Sequence, residues 1–181
     1  MRAAGYLYKH VVPRPEWLKA PLVRDIRSLS GCISKPFADY VDYWQHNGFW
    51  LFDSPDVIDA IAAQASIDLS SLLLFYYEMY ELEFQADAKT WSALEPSADF
   101  ATAVMPPRTA ERQGFDVTTF SCRTTPECSP LSCNALAATL PVNQHCLFET
   151  LADATLALER GAFDQSEPGP FRISAVYAVP R

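Results

Sequence analysis

The segment that most constrains the fold is residues 72–84, which has the pattern of a long β-strand. It begins as a continuous apolar run and then alternates, with Glu81 and Glu83 on one side and bulky apolar residues on the other. Further strand patterns occur at residues 5–11, 48–52, 115–122, 146–148 and 171–179. The chain is therefore expected to contain a sheet of several strands.

Helices are predicted between these strands from their start and stop signals. The clearest start is Ser54-Pro55-Asp56, which combines a capping hydroxyl, a proline at the first helical position and an acid at the positive end of the helix dipole. This helix should run to about residue 65. A second start at Thr150 resembles a capping box and opens a helix that Gly161 ends. Further helices are predicted at residues 37–46 and 131–139.

The mixture of strands and helices predicts the fold class. Because the two kinds of element do not alternate strictly, as they would in a doubly wound fold, we expect an α+β fold with a mostly antiparallel sheet and about three to four helices. A length of 181 residues fits a single domain over residues 1–181. No internal repeat and no linker are evident, so we expect one undivided unit.

The N-terminal sequence and the number of cysteines indicate the cellular compartment of the protein. Residues 1–11 lack the apolar core of a secretory signal, and the longest apolar run, at 72–77, is far short of the ~20 residues that span a bilayer. The chain has five cysteines, an odd number that excludes complete intrachain pairing. These features predict a cytoplasmic protein with reduced thiols. No cofactor is expected.

The net charge of −8 is concentrated in the middle of the chain. Residues 41–100 carry eleven acidic groups and a single basic group, Lys89, which gives −10, whereas residues 1–40 carry +4 and residues 101–181 carry −2. An acidic protein of this kind does not attract nucleic acid or an anionic membrane. Neither is an expected partner, and the pattern indicates nothing about oligomeric state.

The same middle region is rich in tyrosine and tryptophan, and the combination predicts a binding surface. If the helix at 37–46, the helix at 54–65 and the long strand share a face, they form an acidic, aromatic-rich surface within residues 39–83. Charge would steer a basic partner to this surface and aromatic side chains would supply contact area. The predicted contact residues are Asp42, Trp44, Asp53, Asp56, Asp59, Tyr80, Glu81 and Glu83. Alternatively, the acids are a solvated face and the aromatics are core.

Four of the cysteines lie within residues 122–146, close to His145. Cys128, Cys133, His145 and Cys146 are of the ligand types that zinc uses, but their spacing is not that of a zinc knuckle, and no metal site is expected. A second interpretation is a nucleophilic thiol at the start of a helix, with His145 as its base. A third is that the thiols are small core residues, because free cysteine is among the most buried residue types.

Two functional hypotheses follow from these observations. The first is a small cytoplasmic protein-binding module, of inhibitor or immunity type, that uses the acidic surface of residues 39–83 to bind a basic protein. The second is a thiol-dependent enzyme that uses Cys128 or Cys133 with His145. The sequence leaves open whether the chain is an enzyme.

Overall fold

A computed structural model describes residues 1–36, 46–94, 103–120 and 127–180. These ranges contain seven strands, three α-helices and one 3₁₀ turn. The strands are β1 (Arg2–Lys9), β2 (Val12–Pro13), β3 (Asp25–Ile26), β4 (Leu73–Gln85), β5 (Thr90–Ala93), β6 (Glu111–Thr119) and β7 (Phe171–Ala178). The helices are α1 (Pro55–Ala65), α2 (Pro130–Cys133) and α3 (Leu151–Glu159), and the 3₁₀ turn is Leu136–Ala138.

Five of the strands form one antiparallel sheet. Its order is β1-β4-β7-β6, and β5 pairs with the C-terminal end of β4. The strands β2 and β3 form a separate two-stranded ribbon. The long strand β4 is paired with β1 on one side and with β7 on the other, and its consecutive residues 74–77 are all buried. Burial on both faces of the sheet accounts for the continuous apolar run. The predicted α+β fold with a mostly antiparallel sheet is therefore confirmed.

A tight loop built on Asn47 precedes helix α1 and is hydrogen-bonded to the sheet. The Asn47 Nδ2 donates a hydrogen bond to the carbonyl of Ala4 in β1 (2.8 Å), and its Oδ1 accepts from the N–H groups of Phe49 (2.9 Å) and Leu51 (3.3 Å). The Asn47 N–H donates in turn to the Leu51 carbonyl (2.6 Å). Trp50 adopts a left-handed conformation, with a φ of 59°. One side chain thus satisfies the backbone of the turn and fastens it to the sheet.

The same loop recurs on Asn143, ahead of helix α3. The Asn143 Nδ2 donates to the carbonyl of Gln113 in β6 (2.7 Å), and its Oδ1 accepts from the N–H groups of His145 (2.9 Å) and Leu147 (3.3 Å). The Asn143 N–H donates to the Leu147 carbonyl (2.8 Å). Cys146 occupies the left-handed position, with a φ of 61°. Each of these four hydrogen bonds of the first loop has its counterpart here.

A single numbering offset aligns the two loops and the helices that follow them. The aligned loop segments are Asn47-Gly48-Phe49-Trp50-Leu51-Phe52-Asp53-Ser54 and Asn143-Gln144-His145-Cys146-Leu147-Phe148-Glu149-Thr150. Ser54 and Thr150 cap α1 and α3 by accepting from the N–H three residues on. The buried positions of the helices also match: Ile58 with Ala154, Ile61 with Ala157, and Ala62 with Leu158.

The two loop-and-helix segments, with the strands on either side of them, form two similar units that meet at the centre of the sheet. Gly5 in β1 pairs with Tyr77 in β4, and Gly114 in β6 pairs with Val176 in β7. Tyr77 and Val176 pair with each other, so one row of residues runs from glycine to glycine across the sheet. A register shift precedes each glycine. This is the topology of two β-loop-α-β units related by a pseudo-twofold axis between β4 and β7, and the expectation of no internal repeat was wrong.

Two short strands predicted from the sequence are the turns of these loops. Residues 48–52 and 146–148 have an apolar pattern, but the positive φ angles of Trp50 and Cys146 interrupt an extended conformation. Only the phenylalanine that ends each segment bridges to a strand, Phe52 to β1 and Phe148 to β6.

The helices predicted at 54–65 and after Thr150 are confirmed as α1 and α3. The helix predicted at 131–139 is instead the single turn α2 followed by the 3₁₀ turn, because Ala135 is left-handed (φ 58°) and breaks it. Most of the helix predicted at 37–46 lies outside the described residues. Of the helices described, none has both the length and the apolar character needed to cross a membrane.

Candidate functional site

Two buried ionisable residues hold the backbone of residues 28–30. The first is Lys9 in β1, which is 1% exposed. Its Nζ donates to the carbonyl oxygens of Ser28 (2.6 Å), Leu29 (2.7 Å) and Ser30 (2.5 Å). Three acceptors use all three N–H bonds of an ammonium group, so the geometry is that of a charged lysine.

Asp116 binds the same segment from the other edge of the sheet, in β6. Its Oδ2 accepts from the Ser28 hydroxyl (2.7 Å) and the Leu29 N–H (2.8 Å), and its Oδ1 accepts from the Ser129 hydroxyl (2.6 Å). The carboxylate is fully buried. Because β1 and β6 are the two ends of the strand order, Lys9 and Asp116 attach this segment to both outer strands of the sheet. Asp116 also fastens the loop that contains Ser129.

Burial shifts the pKa values of both groups. The loss of solvent lowers the pKa of Lys9 to about 7, and the attraction of Asp116 opposes this shift. Burial raises the pKa of Asp116, while hydrogen bonds from Ser129 and Ser28 oppose it. Each charge is tolerated in the interior because the other is close to it and both are hydrogen-bonded.

Residues 28–30 and the loop that contains Ser129, both held by Asp116, bring three thiols close together. Cys32 follows residues 28–30, and Cys128 and Cys133 lie on either side of the loop that Asp116 holds. Their three Sγ atoms all lie within 4.8 Å of one another. Cys128 is buried, Cys133 is half-buried and Cys32 is exposed, so the thiol cluster extends from the interior to the surface.

Backbone contacts fix two of the three thiols. The N–H of Thr119, at the end of β6, donates to the Cys128 carbonyl (2.8 Å), which places Cys128 beside the sheet. The Cys32 thiol lies 2.9 Å from the carbonyl oxygen of Glu127 and donates to it. The Cys32 side chain therefore links the segment after residue 30 to the segment that carries Cys128.

Cys133 is the member of the thiol cluster whose ionisation is favoured. Interaction with the adjacent Cys128 thiol lowers the pKa of Cys133 to about 6, although burial acts in the opposite direction. The same interaction, with burial, raises the pKa of Cys128. Burial raises the pKa of Cys146, outside the cluster, to about 12. Of the three thiols, Cys133 is therefore the one that ionises most readily.

The residues predicted for thiol catalysis are only partly brought together. Cys128 and Cys133 are neighbours in the thiol cluster, but His145 does not belong to it. The His145 Nδ1 lies 2.7 Å from the Asp25 Oδ1 in β3. The third member, Cys32, was not among the predicted site residues, because it lies far from the others in the sequence and approaches them only through the fold.

Two of the predicted contact acids have structural roles. Asp53 accepts a hydrogen bond from the Nδ2 of Asn47 (2.9 Å) and so supports the first loop. Glu83 accepts from the Nε of Arg172 in β7 (3.0 Å), in an ion pair whose side chains are 15% and 7% exposed. A shielded pair of this kind joins neighbouring strands and leaves little charge for a partner.

Other predicted contact acids are free to act at the surface. Asp56, Asp59 and Glu81 are exposed, and none forms an ion pair with another described residue. Tyr80 is half-buried and its ring packs edge-on against Trp91, with centroids 5.6 Å apart. Three residues singled out in the sequence lie outside the described ranges: Asp42, Trp44 and Cys122.

Comparison of the chain with protein-family models, with curated proteins and with solved structures finds no match. Function is therefore inferred from the charges and contacts of the chain itself.

Proposed function

We propose that the protein is a cytoplasmic binding module of inhibitor or immunity type whose acidic surface, centred on helix α1, docks a basic protein. The observation that carries the proposal is the excess of negative charge in the middle of the chain. Residues 41–100 contain one lysine or arginine, Lys89, against eleven acids. The Lys89 ammonium group pairs with Asp164, an acid from outside this region. A partner of opposite charge would be attracted to the acids that remain.

The exposed acids of helix α1 are the best-defined part of this surface. Asp56 and Asp59 are three residues apart, so they lie on the same face of the helix. The opposite face, with Ile58 and Ile61, is buried in the core. Two carboxylates at this spacing repel each other, and a cation bound between them relieves that repulsion.

Helix α3, which follows the second loop, can be compared with α1 position by position. The positions of α3 that correspond to Asp56 and Asp59 are Ala152 and Thr155, which carry no charge. Because α1 and α3 share their caps and their buried positions, a helix at this place in the fold does not require the two acids. A pair of acids at these two positions in one copy alone is what a binding role for that copy predicts.

Replacement of both acids by amides, Asp56→Asn with Asp59→Asn, should weaken the binding of a cationic probe. The probe is a fluorescein-labelled oligolysine peptide, and its affinity is measured by fluorescence anisotropy at low salt. We expect a roughly two- to thirtyfold loss, since exposed charge contacts contribute about 0.2–1 kcal/mol each. Binding to the unmodified protein should fall steeply as salt rises to about 0.5 M, because screening removes such contacts.

The matched control adds the same positive charge to the other helix, as Ala152→Lys with Thr155→Lys. Both double variants change the net charge by the same amount, so only the location of the change differs. An equal loss in the control would mean that overall charge alone decides binding. That outcome, or binding by the unmodified protein that is unchanged at high salt, rejects the proposed surface.

A second candidate function, a thiol-dependent enzyme, is favoured by the proximity of Cys128 and Cys133. The interaction between them favours ionisation of Cys133, and the thiolate is the nucleophilic form of cysteine. His145 interacts with Asp25, so the neighbouring thiol would take over the activation that was predicted for the imidazole. This candidate has less support, because it lacks a base within the cluster.

Iodoacetamide labelling at neutral pH tests the thiol candidate. Cys133 in the folded protein should react several-fold faster than a free model thiol, because more of it is ionised, although a thiolate of low pKa is intrinsically less nucleophilic. Mass spectrometry of peptides identifies the labelled residue, and Cys133→Ser should remove the fast phase. If no cysteine of the folded protein outpaces the free thiol, the enzyme candidate is rejected.

A further inference from the structure

The thiol cluster matches the geometry of a zinc site. Zinc binds thiolates at about 2.3 Å, and tetrahedral angles then place the sulfur atoms roughly 3.8 Å apart. The Sγ atoms of Cys32, Cys128 and Cys133 already lie within 4.8 Å of one another. Closure onto an ion therefore needs sulfur movements of about 1 Å or less, which side-chain rotation supplies.

The backbone that carries these thiols is held in place by contacts outside the cluster. Lys9 and Asp116 fix residues 28–30, which lead to Cys32. The Ser129 hydroxyl, bound to Asp116, fixes the loop between Cys128 and Cys133. Ligands on fixed segments lose less conformational freedom on binding, which favours a preformed site.

Exposure and charge also suit a metal ion. Cys32 is exposed, so a cation can enter from solvent, whereas Cys128 is buried and shields the inner side. Three thiolates around Zn²⁺ form an anionic complex. The buried ammonium group of Lys9 is close enough to Cys32 and Cys133 to feel their charge, and it compensates such a complex.

We infer that Cys32, Cys128 and Cys133 form a zinc site in which water is the fourth ligand. Three protein ligands with one position left to solvent is a coordination that zinc adopts in proteins. Each thiol releases its proton to solvent as its sulfur binds, so the affinity falls in acid. The ion ties residues 28–36 to residues 127–133. The expectation of no metal rested on the spacing of residues 128–146, and Cys32 changes the ligand set.

Zinc titration of the full-length, reduced protein tests this inference. Competition with a chromophoric chelator should give one bound ion per chain, and Cd²⁺ should produce the ultraviolet charge-transfer band of metal–thiolate bonds. Cys32→Ser should weaken zinc binding at least about 100-fold, since it removes a ligand outright. The exposed position of Cys32 lets this variant fold. The control Cys146→Ala, at a buried thiol outside the cluster, should stay within about threefold of the unmodified protein.

Thermal unfolding provides a second readout. Zinc at about a hundredfold excess over its Kd should raise the unfolding midpoint by about 5 °C or more, because the ion binds the folded chain more tightly than the unfolded one. The shift should be kept in Cys146→Ala and lost in Cys32→Ser. The zinc site is refuted if the reduced protein binds no stoichiometric ion, or if Cys32→Ser binds zinc as tightly as the unmodified chain.

Discussion

Lys9→Met should lower the free energy of unfolding by about 3–5 kcal/mol, the range typical of a buried ion pair that loses one partner. Methionine occupies the space of the aliphatic stem but donates no hydrogen bond, so the carbonyls of residues 28–30 lose their donor. Asp116 is left in the interior without the neighbouring cation. Urea unfolding followed by tryptophan fluorescence measures the loss.

Lys19→Met is the matched control, because Lys19 is exposed and donates to the nearby Glu16 carbonyl. Its effect should stay within about 0.5 kcal/mol. In the double variant Lys9→Met with Asp116→Asn, the loss should be smaller than the sum of the two single losses, since the second change removes the unpaired charge. A loss below about 1 kcal/mol in Lys9→Met alone would contradict a charged, carbonyl-bound lysine.

The elements that the sequence predicted well are those whose signals are local. The cap, proline and acid at residues 54–56 define the start of α1, and the alternation before residue 84 defines β4. Lys9 shows the limit of such signals. In a strand pattern it counts as a polar, solvent-facing residue, yet it is buried because residues 28–30 and Asp116 provide partners that are distant in the sequence.

The repeat was present in the sequence but is difficult to see there. The identical residues of the two loops are few, namely the asparagine and the Leu-Phe pair, and the acid and the capping hydroxyl are only similar in type. What the loops conserve is a set of backbone hydrogen bonds around Asn47 and Asn143, for which few side chains are needed. The intervening positions, such as Trp50 and Cys146, differ because the turn requires only their backbone conformation.

The duplication also explains why the thiol cluster escaped prediction. In each copy, a long connection joins the first strand to the asparagine loop: residues 10–46 in the first and 120–142 in the second. Cys32 lies in the first connection, and Cys128 and Cys133 lie in the second. The cluster is thus assembled from corresponding parts of the two copies. No sequence motif within one copy includes all three cysteines, and only the packing of the two copies brings the thiols together.

Gly5→Ala and Gly114→Ala should each destabilise the fold by about 3 kcal/mol or more, through backbone strain and overlap with the loop. Both glycines have a φ, +142° and +141°, that side chains rarely adopt. A Cβ at Gly5 would lie 2.7 Å from the carbonyl oxygen of Phe52, and one at Gly114 would lie 2.7 Å from that of Phe148. In each copy the missing side chain is what lets the loop approach the strand.

The control is Gly31→Ala, where the nearest atom to a Cβ would be the Pro36 Cδ at 3.6 Å, an ordinary contact. It should change the free energy of unfolding by less than about 1 kcal/mol in the same urea titration. Because the strand and loop surround each strained glycine in the same way, the two losses should be similar. A large loss at one glycine and a small loss at the other would mean that the two strand–loop contacts contribute unequally to stability. The two units would then share a backbone conformation but not its energetic contribution.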